Sequence, residues 1–146
     1  MKISISIGSF SHTPPNEIIE YAKLAERLGV ERIWSAEAWG TDAITPLAFI
    51  ASHTERVKLG TGIMQISARV PSMIAMTALT LARFTNGRFA LGLGVSGPQV
   101  VEGLHGADYK APLTRLKETV EIVRMAFRGE KIEFTGDCHQ IPRLGG

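Results

Sequence analysis

Three glycines near the middle of the chain have the spacing of a phosphate-binding loop. Gly92, Gly94 and Gly97 satisfy the pattern G-x-G-x-x-G and follow an apolar run that is typical of a β-strand. In dinucleotide-binding domains such glycines let the backbone approach a pyrophosphate at the N-terminus of a helix. That motif marks the first βα turn of its domain, whereas three predicted βα units come before it here. The position in the chain therefore argues against a dinucleotide site.

The predicted elements around this motif alternate between strands and helices. The patterns predict strands over residues 3–8, 30–36, 56–63 and 88–97, and helices over residues 13–28, 42–54, 70–84 and 112–127. The second helix has an alternative start at Thr45-Pro46. Residues 98–111 are predicted to be a looser segment, and residues 130–142 alternate as in a small hairpin. Short loops between alternating elements indicate parallel strands with right-handed crossovers.

The glycine motif also repeats an earlier stretch of the chain. Residues 56–63 and 88–95 share the pattern R-x-x-L-G-x-G, one βα unit apart. On a strand, Gly92 and Gly94 point to one face, as do Gly60 and Gly62. Two neighbouring strands without side chains on one face would leave room for a flat ligand inside a barrel, near its C-terminal mouth. The alternative is that these glycines relieve crowding in a tight barrel.

The composition limits the class of protein. The chain has 146 residues, 45% of them hydrophobic, and a net charge of +2. The length therefore allows one domain with a core. The weak net charge predicts no nucleic-acid partner. The single cysteine, Cys138, excludes an internal disulfide and a cysteine-built metal site, and a reduced, cytoplasmic location is expected. The chain has no apolar run that could cross a bilayer and no signal-peptide pattern, so no membrane association is expected.

The chain resembles the N-terminal part of bacterial luciferase-like proteins, in the branch of coenzyme F-420-dependent oxidoreductases. The residues that carry the resemblance are 59–63, 69–71, 76–77, 87–89, the run 92–103, and the helix 115–128 with the two residues after it. The resemblance implies an α/β fold, a TIM-type (β/α)8 barrel, of which residues 1–146 supply the first four βα units. It also implies a non-proline cis peptide at Gly62-Ile63 that supports the ring of the coenzyme.

The resemblance implies an enzyme whose deazaflavin, coenzyme F-420, exchanges hydride with an organic small-molecule substrate. An FMN-dependent monooxygenase is the nearest alternative, and an inactive or purely structural half barrel is the nonenzymatic one. A full barrel needs about 250 residues, so we interpret the chain as truncated. A free-standing half barrel would expose strand edges and its inner face, and a homodimer is therefore expected.

Candidate catalytic residues lie in the loops at the predicted mouth of the barrel. Glu37 follows the second strand, where many deazaflavin members carry an acid–histidine pair, and Ala38 stands in the place of the histidine. Glu37 could act as an acid or base, or it could be a solvated loop acid. His12, in the first loop, could donate a proton to the substrate or be an ordinary loop histidine.

The remaining candidates would bind the coenzyme or the substrate. Ring contacts are expected from backbone groups and a hydroxyl at the end of the third strand, and contacts to the acidic tail from a nearby arginine. The predicted cofactor-binding residues are Thr61, Gly62, Ile63, Gln65, Arg69, Ser96 and Gly97. The predicted substrate or lid residues are Trp39, His105 and Tyr109, with ordinary packing or loop roles as the alternatives. No metal site is predicted.

Overall fold

The computed structural model of the protein describes residues 2–8, 12–143 and 145. These residues form two compact units, each assembled from separate parts of the chain. The first unit comprises residues up to 64 together with residues 80–93. The second unit comprises residues 65–79 and the residues from 94 onward.

The elements follow the predicted order of strands and helices, with short strands and a short helix added between them. The strands are β1 (Ser4–Ile7), β2 (Arg32–Ser35), β3 (Lys58–Thr61), β4 (Met64–Gln65), β5 (Phe89–Ala90), β6 (Leu93–Gly94), β7 (Phe134–Thr135) and β8 (Gln140–Ile141). The helices are α1 (Pro15–Arg27), α2 (Thr45–Ala51), α3 (Pro71–Phe84), α4 (Pro98–Val101) and α5 (Pro112–Phe127). The predicted hairpin is the antiparallel pair β7–β8, and α4 adds a short helix to the segment predicted to be loose.

The second helix is shorter than predicted and begins at the alternative start. The carboxylate of Asp42 accepts hydrogen bonds from the amides of Ile44 and Thr45, both at 2.8 Å. An aspartate that bonds the next backbone amides favours a turn over a helix. The residues before Thr45 therefore form a loop, and the helix runs only from Thr45 to Ala51.

The first unit is built on a parallel sheet in the order β1-β2-β3-β5. One row of this sheet aligns Ile5, Ile33, Leu59 and Phe89. Ile33 and Leu59 are fully buried in a cluster with apolar side chains of α1 and α2. Parallel strands that bury one face under their crossover helices are the arrangement of a (β/α) barrel, which confirms the predicted fold class for this part of the chain.

The predicted third and fourth strands are each interrupted near their carboxyl ends. β3 ends at Thr61, and Leu91 and Gly92 separate β5 from β6. The hydroxyl of Thr61 donates to the carbonyl of Gly92 and accepts from its amide, both at 2.8 Å. The amide of Met64 donates to the same carbonyl. The Thr61 side chain thus replaces part of the backbone hydrogen-bond ladder between the strands. The prediction of two continuous strands is therefore wrong.

Two of the repeated glycines accommodate close packing rather than an open space. A Cβ atom at Gly60 would lie 2.5 Å from the ring of Trp34, its neighbour on β2. A Cβ atom at Gly92 would overlap the carbonyl oxygen of Thr61. The structure therefore favours the crowding interpretation at these two positions, and the predicted space for a ligand above Gly60 is filled by Trp34.

The repeat also places an arginine at the start of each of the two strands, and the two arginines have different surroundings. Arg88 donates to the carbonyls of Val57 and Thr54, at 2.8 and 2.9 Å, and to the carbonyl of Thr85. Arg56, its counterpart before β3, is exposed. A guanidinium that bonds several carbonyls of neighbouring segments stabilises a fold, so Arg88 has a structural role that Arg56 lacks.

Candidate functional site

The peptide bond between Gly62 and Ile63 is cis, as the resemblance predicts. Gly62 is exposed, and a Cβ atom there would make only ordinary contact with Trp34, at 3.6 Å. Thr61, by contrast, is fully buried, and its hydroxyl is engaged with Gly92. The predicted contact of this hydroxyl with a coenzyme is therefore not supported. Backbone groups at Gly62-Ile63 form the surface that a flat ligand could approach.

Glu37 lies just beyond β2 in the first unit and is only 8% exposed. Its carboxylate accepts a hydrogen bond from the amide of the buried residue Ala43, at 2.9 Å. The interpretation as a solvated loop acid is therefore wrong, and Glu37 is a positioned carboxylate. Trp39 is 58% exposed, which argues against ordinary core packing. His12, also in the first unit, is exposed.

In the second unit, the structure brings together two predicted residues, Gln65 and His105. The side-chain amide nitrogen of Gln65 lies 2.7 Å from Nε2 of His105, and the hydroxyl of Ser67 donates to Oε1 of Gln65. Gln65 is buried and His105 is exposed. A carboxamide nitrogen only donates, so in the neutral ring Nε2 of His105 accepts and Nδ1 carries the proton.

Another pair of predicted residues meets at the end of β6. The hydroxyl of Tyr109 donates to the carbonyl of Ser96 at 3.2 Å, and Ser96 has a left-handed φ of 57°. The amide of Tyr109 bonds the carboxylate of Glu102. Gly97 is the N-cap of α4, so the interpretation as a turn glycine fits it. The segment after α4 is therefore held against the strand end in the second unit.

A cavity of about 440 Å³ in the second unit is rich in positive charge. Arg69, which was predicted from the sequence, lines it together with Arg115, Arg143 and His139, and Asp108 is the acidic group in the same wall. We refer to this space as the arginine cavity. Three arginines against one aspartate in the lining favour an anionic ligand, since guanidinium pairs with carboxylate and phosphate oxygens.

Two groups in the arginine cavity have distinctive surroundings. The Nε atom of Arg115 is buried without a hydrogen-bond partner among the described residues. Burial, and next the charge of Arg115, lower the pKa of His139, whereas Glu118 acts in the opposite direction. The sequence did not single out Arg115 or His139, because a helix pattern and a hairpin pattern do not reveal that their side chains share a cavity.

Two features are absent from the described residues. No helix in these ranges has both the length and the apolar character needed to cross a membrane. Within the same ranges, no three or more histidine, cysteine, aspartate or glutamate side chains gather in a way that could hold a metal ion.

Comparison with known proteins gives matches over nearly the whole chain. The family model described as luciferase-like monooxygenase matches residues 1–145. A Mycobacterium tuberculosis protein, provisionally named as a coenzyme F-420-dependent oxidoreductase, is 44% identical over 146 residues, which is 99% of this chain and 42% of that protein. The chain therefore spans less than half the length of this relative.

Two solved structures have the same fold over one half of their length. The coenzyme F-420-dependent tetrahydromethanopterin reductase of Methanopyrus kandleri has a TM-score of 0.83 at 23% identity, covering 95% of this chain and 44% of that one. A monooxygenase from Streptomyces bottropensis has a TM-score of 0.83 at 25% identity, covering 97% of this chain and 47% of that one.

Proposed function

The chain belongs to the luciferase-like monooxygenase family, and we propose that the protein carrying it is an oxidoreductase that uses coenzyme F-420. When bound, this deazaflavin supplies a ring carbon that gives hydride to an organic substrate or takes hydride from it. The observation that carries the proposal is the exposed backbone at Gly62, where a Cβ atom would meet only ordinary contact at 3.6 Å. A flat ring fits against backbone that lacks a side chain.

The arginine cavity supports an acidic coenzyme. Arg115 lines this cavity and has a buried Nε–H without a partner among the described residues, and an unsatisfied buried donor is costly. Arg69 and Arg143 add positive charge to the same wall. We propose that these three groups bind acidic oxygens of the coenzyme, which extends the sequence-based expectation for Arg69 to two further arginines.

The chain's own residues would orient the ligands and handle protons. Glu37, held by the amide of Ala43, would hold or accept a proton on the substrate side. His105, whose tautomer is set by Gln65, would donate from Nδ1 to a polar substrate group. His12 and Trp39 retain their predicted roles as substrate-side proton donor and aromatic wall.

Titration of the intact protein with coenzyme F-420 and, separately, with FMN tests the proposal. We expect F-420 to bind with micromolar affinity and FMN to bind more weakly. Intrinsic fluorescence or calorimetry would give both dissociation constants. Tight FMN binding together with no F-420 binding would contradict the proposal.

An FMN-dependent monooxygenase is the second candidate. The family description and the similarity to the Streptomyces bottropensis monooxygenase favour it. The arginine cavity would suit the phosphate of FMN as well as an acidic deazaflavin tail. The same pair of titrations separates the two candidates, and oxygen consumption with reduced FMN would support the second one.

A further inference from the structure

Glu118, in the middle of α5, has its carboxylate buried against the turn of the β7–β8 hairpin. Oε1 accepts the amide of Asp137 at 2.7 Å, and Oε2 accepts the amides of Cys138 and His139 at 3.0 and 2.9 Å. The residue is only 7% exposed. Hydrogen bonds to an ionised acceptor are shorter and stronger than neutral ones, so three of them fix the path of the turn.

The neighbours of this carboxylate are packed closely. A Cβ atom at Gly136 would lie 2.5–2.7 Å from the carboxylate of Glu118. The hydroxyl of Thr119, which is 1% exposed, lies 3.2 Å from Nε2 of His139. Helix α5 therefore holds the backbone of the turn through Glu118 and the imidazole ring of His139 through Thr119.

We propose that Glu118 is a positioning residue for the arginine cavity, because it holds the turn that presents Cys138 and His139 to the cavity wall. Glu118 does not line the cavity itself, so its effect on a ligand passes through the hairpin. The inference rests on the proposed function only in taking the ligand to be the coenzyme.

The pKa of His139 distinguishes the positioning role of Glu118 from an effect of its negative charge alone. Burial and Arg115 lower that pKa, and the charge of Glu118 counteracts them. If Glu118 were only a nearby charge, Glu118→Gln would lower the pKa of His139 further. If Glu118 holds the turn, Glu118→Gln replaces one accepting oxygen by an NH2 group. This NH2 group cannot accept the backbone amides of the turn, so the turn is released. His139 then becomes solvated and its pKa rises toward the ordinary value.

The experiment is an NMR titration of the imidazole of His139 in the intact protein, combined with a coenzyme F-420 titration. His139→Gln identifies the signal. In Glu118→Gln we expect a higher pKa of His139 and about tenfold weaker coenzyme binding. A tenfold effect corresponds to the loss of one charge-assisted hydrogen bond between the coenzyme and the cavity wall. Glu121→Gln removes the same charge from an exposed position of α5 and should change neither quantity.

A lower pKa of His139 in Glu118→Gln, or a raised pKa with unchanged coenzyme affinity, would overturn the proposal. If Glu118→Gln does not fold, Gly136→Ala displaces the same turn while keeping the carboxylate, and it should raise the pKa of His139 in the same direction. If the unaltered protein binds no F-420, the proposed function fails, yet the NMR titration still decides whether Glu118 holds the turn.

Discussion

Among single residues, Glu37 is the strongest candidate for proton transfer. It is nearly buried, and the amide of Ala43 fixes one of its oxygens. We expect Glu37→Gln to lower turnover by about 100-fold or more, the usual effect of removing a general acid or base. The glutamine can still accept the bond from Ala43, so folding and coenzyme affinity should be nearly unchanged.

The Glu37 prediction is measured as hydride transfer between F-420 and a panel of organic substrates. Glu55→Gln, which removes a carboxylate from an exposed position, serves as the control. Unchanged turnover in Glu37→Gln would reject a proton-transfer role and leave Glu37 as a residue that shapes the loop before α2.

Arg115 should matter more for binding than for stability. Its Nε–H is buried without a partner among the described residues, so Arg115→Gln should cost little free energy of unfolding in the absence of ligand. Coenzyme affinity should fall about tenfold and depend less on salt, because a cation of the cavity wall is removed. Arg124→Gln, at an exposed position of α5, should leave both unchanged, and loss of stability without loss of affinity would contradict the prediction.

At the level of elements, a helical glutamate anchors a loop in each unit. Glu26 of α1 accepts the amides of Arg56 and Val57, at 2.7 and 2.8 Å, and that of Glu55 at 3.1 Å. Burial alone would raise the pKa of Glu26, but the three amides and the charge of Arg56 together lower it. Glu118 of α5 binds the hairpin turn in the same manner.

The lowered pKa of Glu26 gives a pH dependence of stability with a defined sign. A group whose pKa is lower in the folded state stabilises the fold above its unfolded pKa, and this contribution is lost as the pH falls through the folded pKa. We expect Glu26→Gln to cost about 1 kcal/mol near neutral pH, a value reduced by solvent screening. The difference from the unaltered protein should vanish in acid.

Denaturant unfolding at several pH values measures the Glu26 effect. Glu20→Gln is the control, since Glu20 makes an exposed ion pair with Lys23, and such pairs contribute little. A stability difference for Glu26→Gln that persists unchanged into acid would contradict the assigned cause.

The sequence predicted helices better than strands, for physical reasons. α5 begins at Pro112 and ends before Gly129, and both signals act locally. The interruption of the third and fourth strands depends on the bonds between Thr61 and Gly92, which are far apart in the chain. Likewise, only the structure reveals that Trp34 fills the space above Gly60. Hydrophobic alternation carries no information about such tertiary contacts.

The candidate site was predictable only in part. The cis bond at Gly62-Ile63 followed from the family resemblance, since nothing in the local pattern indicates a cis peptide. The residue types of Arg115 and His139 can be read from the sequence, but their shared cavity depends on the packing of α5 against the hairpin. Side chains that meet through tertiary structure leave no signature in the spacing of a single sequence.

We propose that the whole protein is a homodimer, as expected from its sequence. Met73, Met76 and Leu79 follow one another at three-residue spacing on α3 and are 48%, 60% and 45% exposed. Contiguous exposed apolar side chains are typical of interaction surfaces. A second copy of the chain is the occupant that we propose for this face.

Light scattering of the intact protein tests the homodimer. We expect the unaltered protein to be dimeric and Met76→Glu to be monomeric, because a charge in an apolar interface is unpaired and desolvated. Leu113→Glu, at another exposed apolar position on a different helix, should remain dimeric. A monomeric unaltered protein would contradict the proposal.

The two anchoring glutamates have a consequence for how the loops can change over evolutionary time. Glu26 and Glu118 accept hydrogen bonds from the backbone amides of residues 55–57 and 137–139. Every residue type except proline supplies that amide, so the hydrogen bonds themselves place no demand on the side chains at these six positions. The exposed side chains among them, such as those of Glu55 and Asp137, can therefore change while the anchoring bonds are kept. Proline is the one substitution that the anchors should reject.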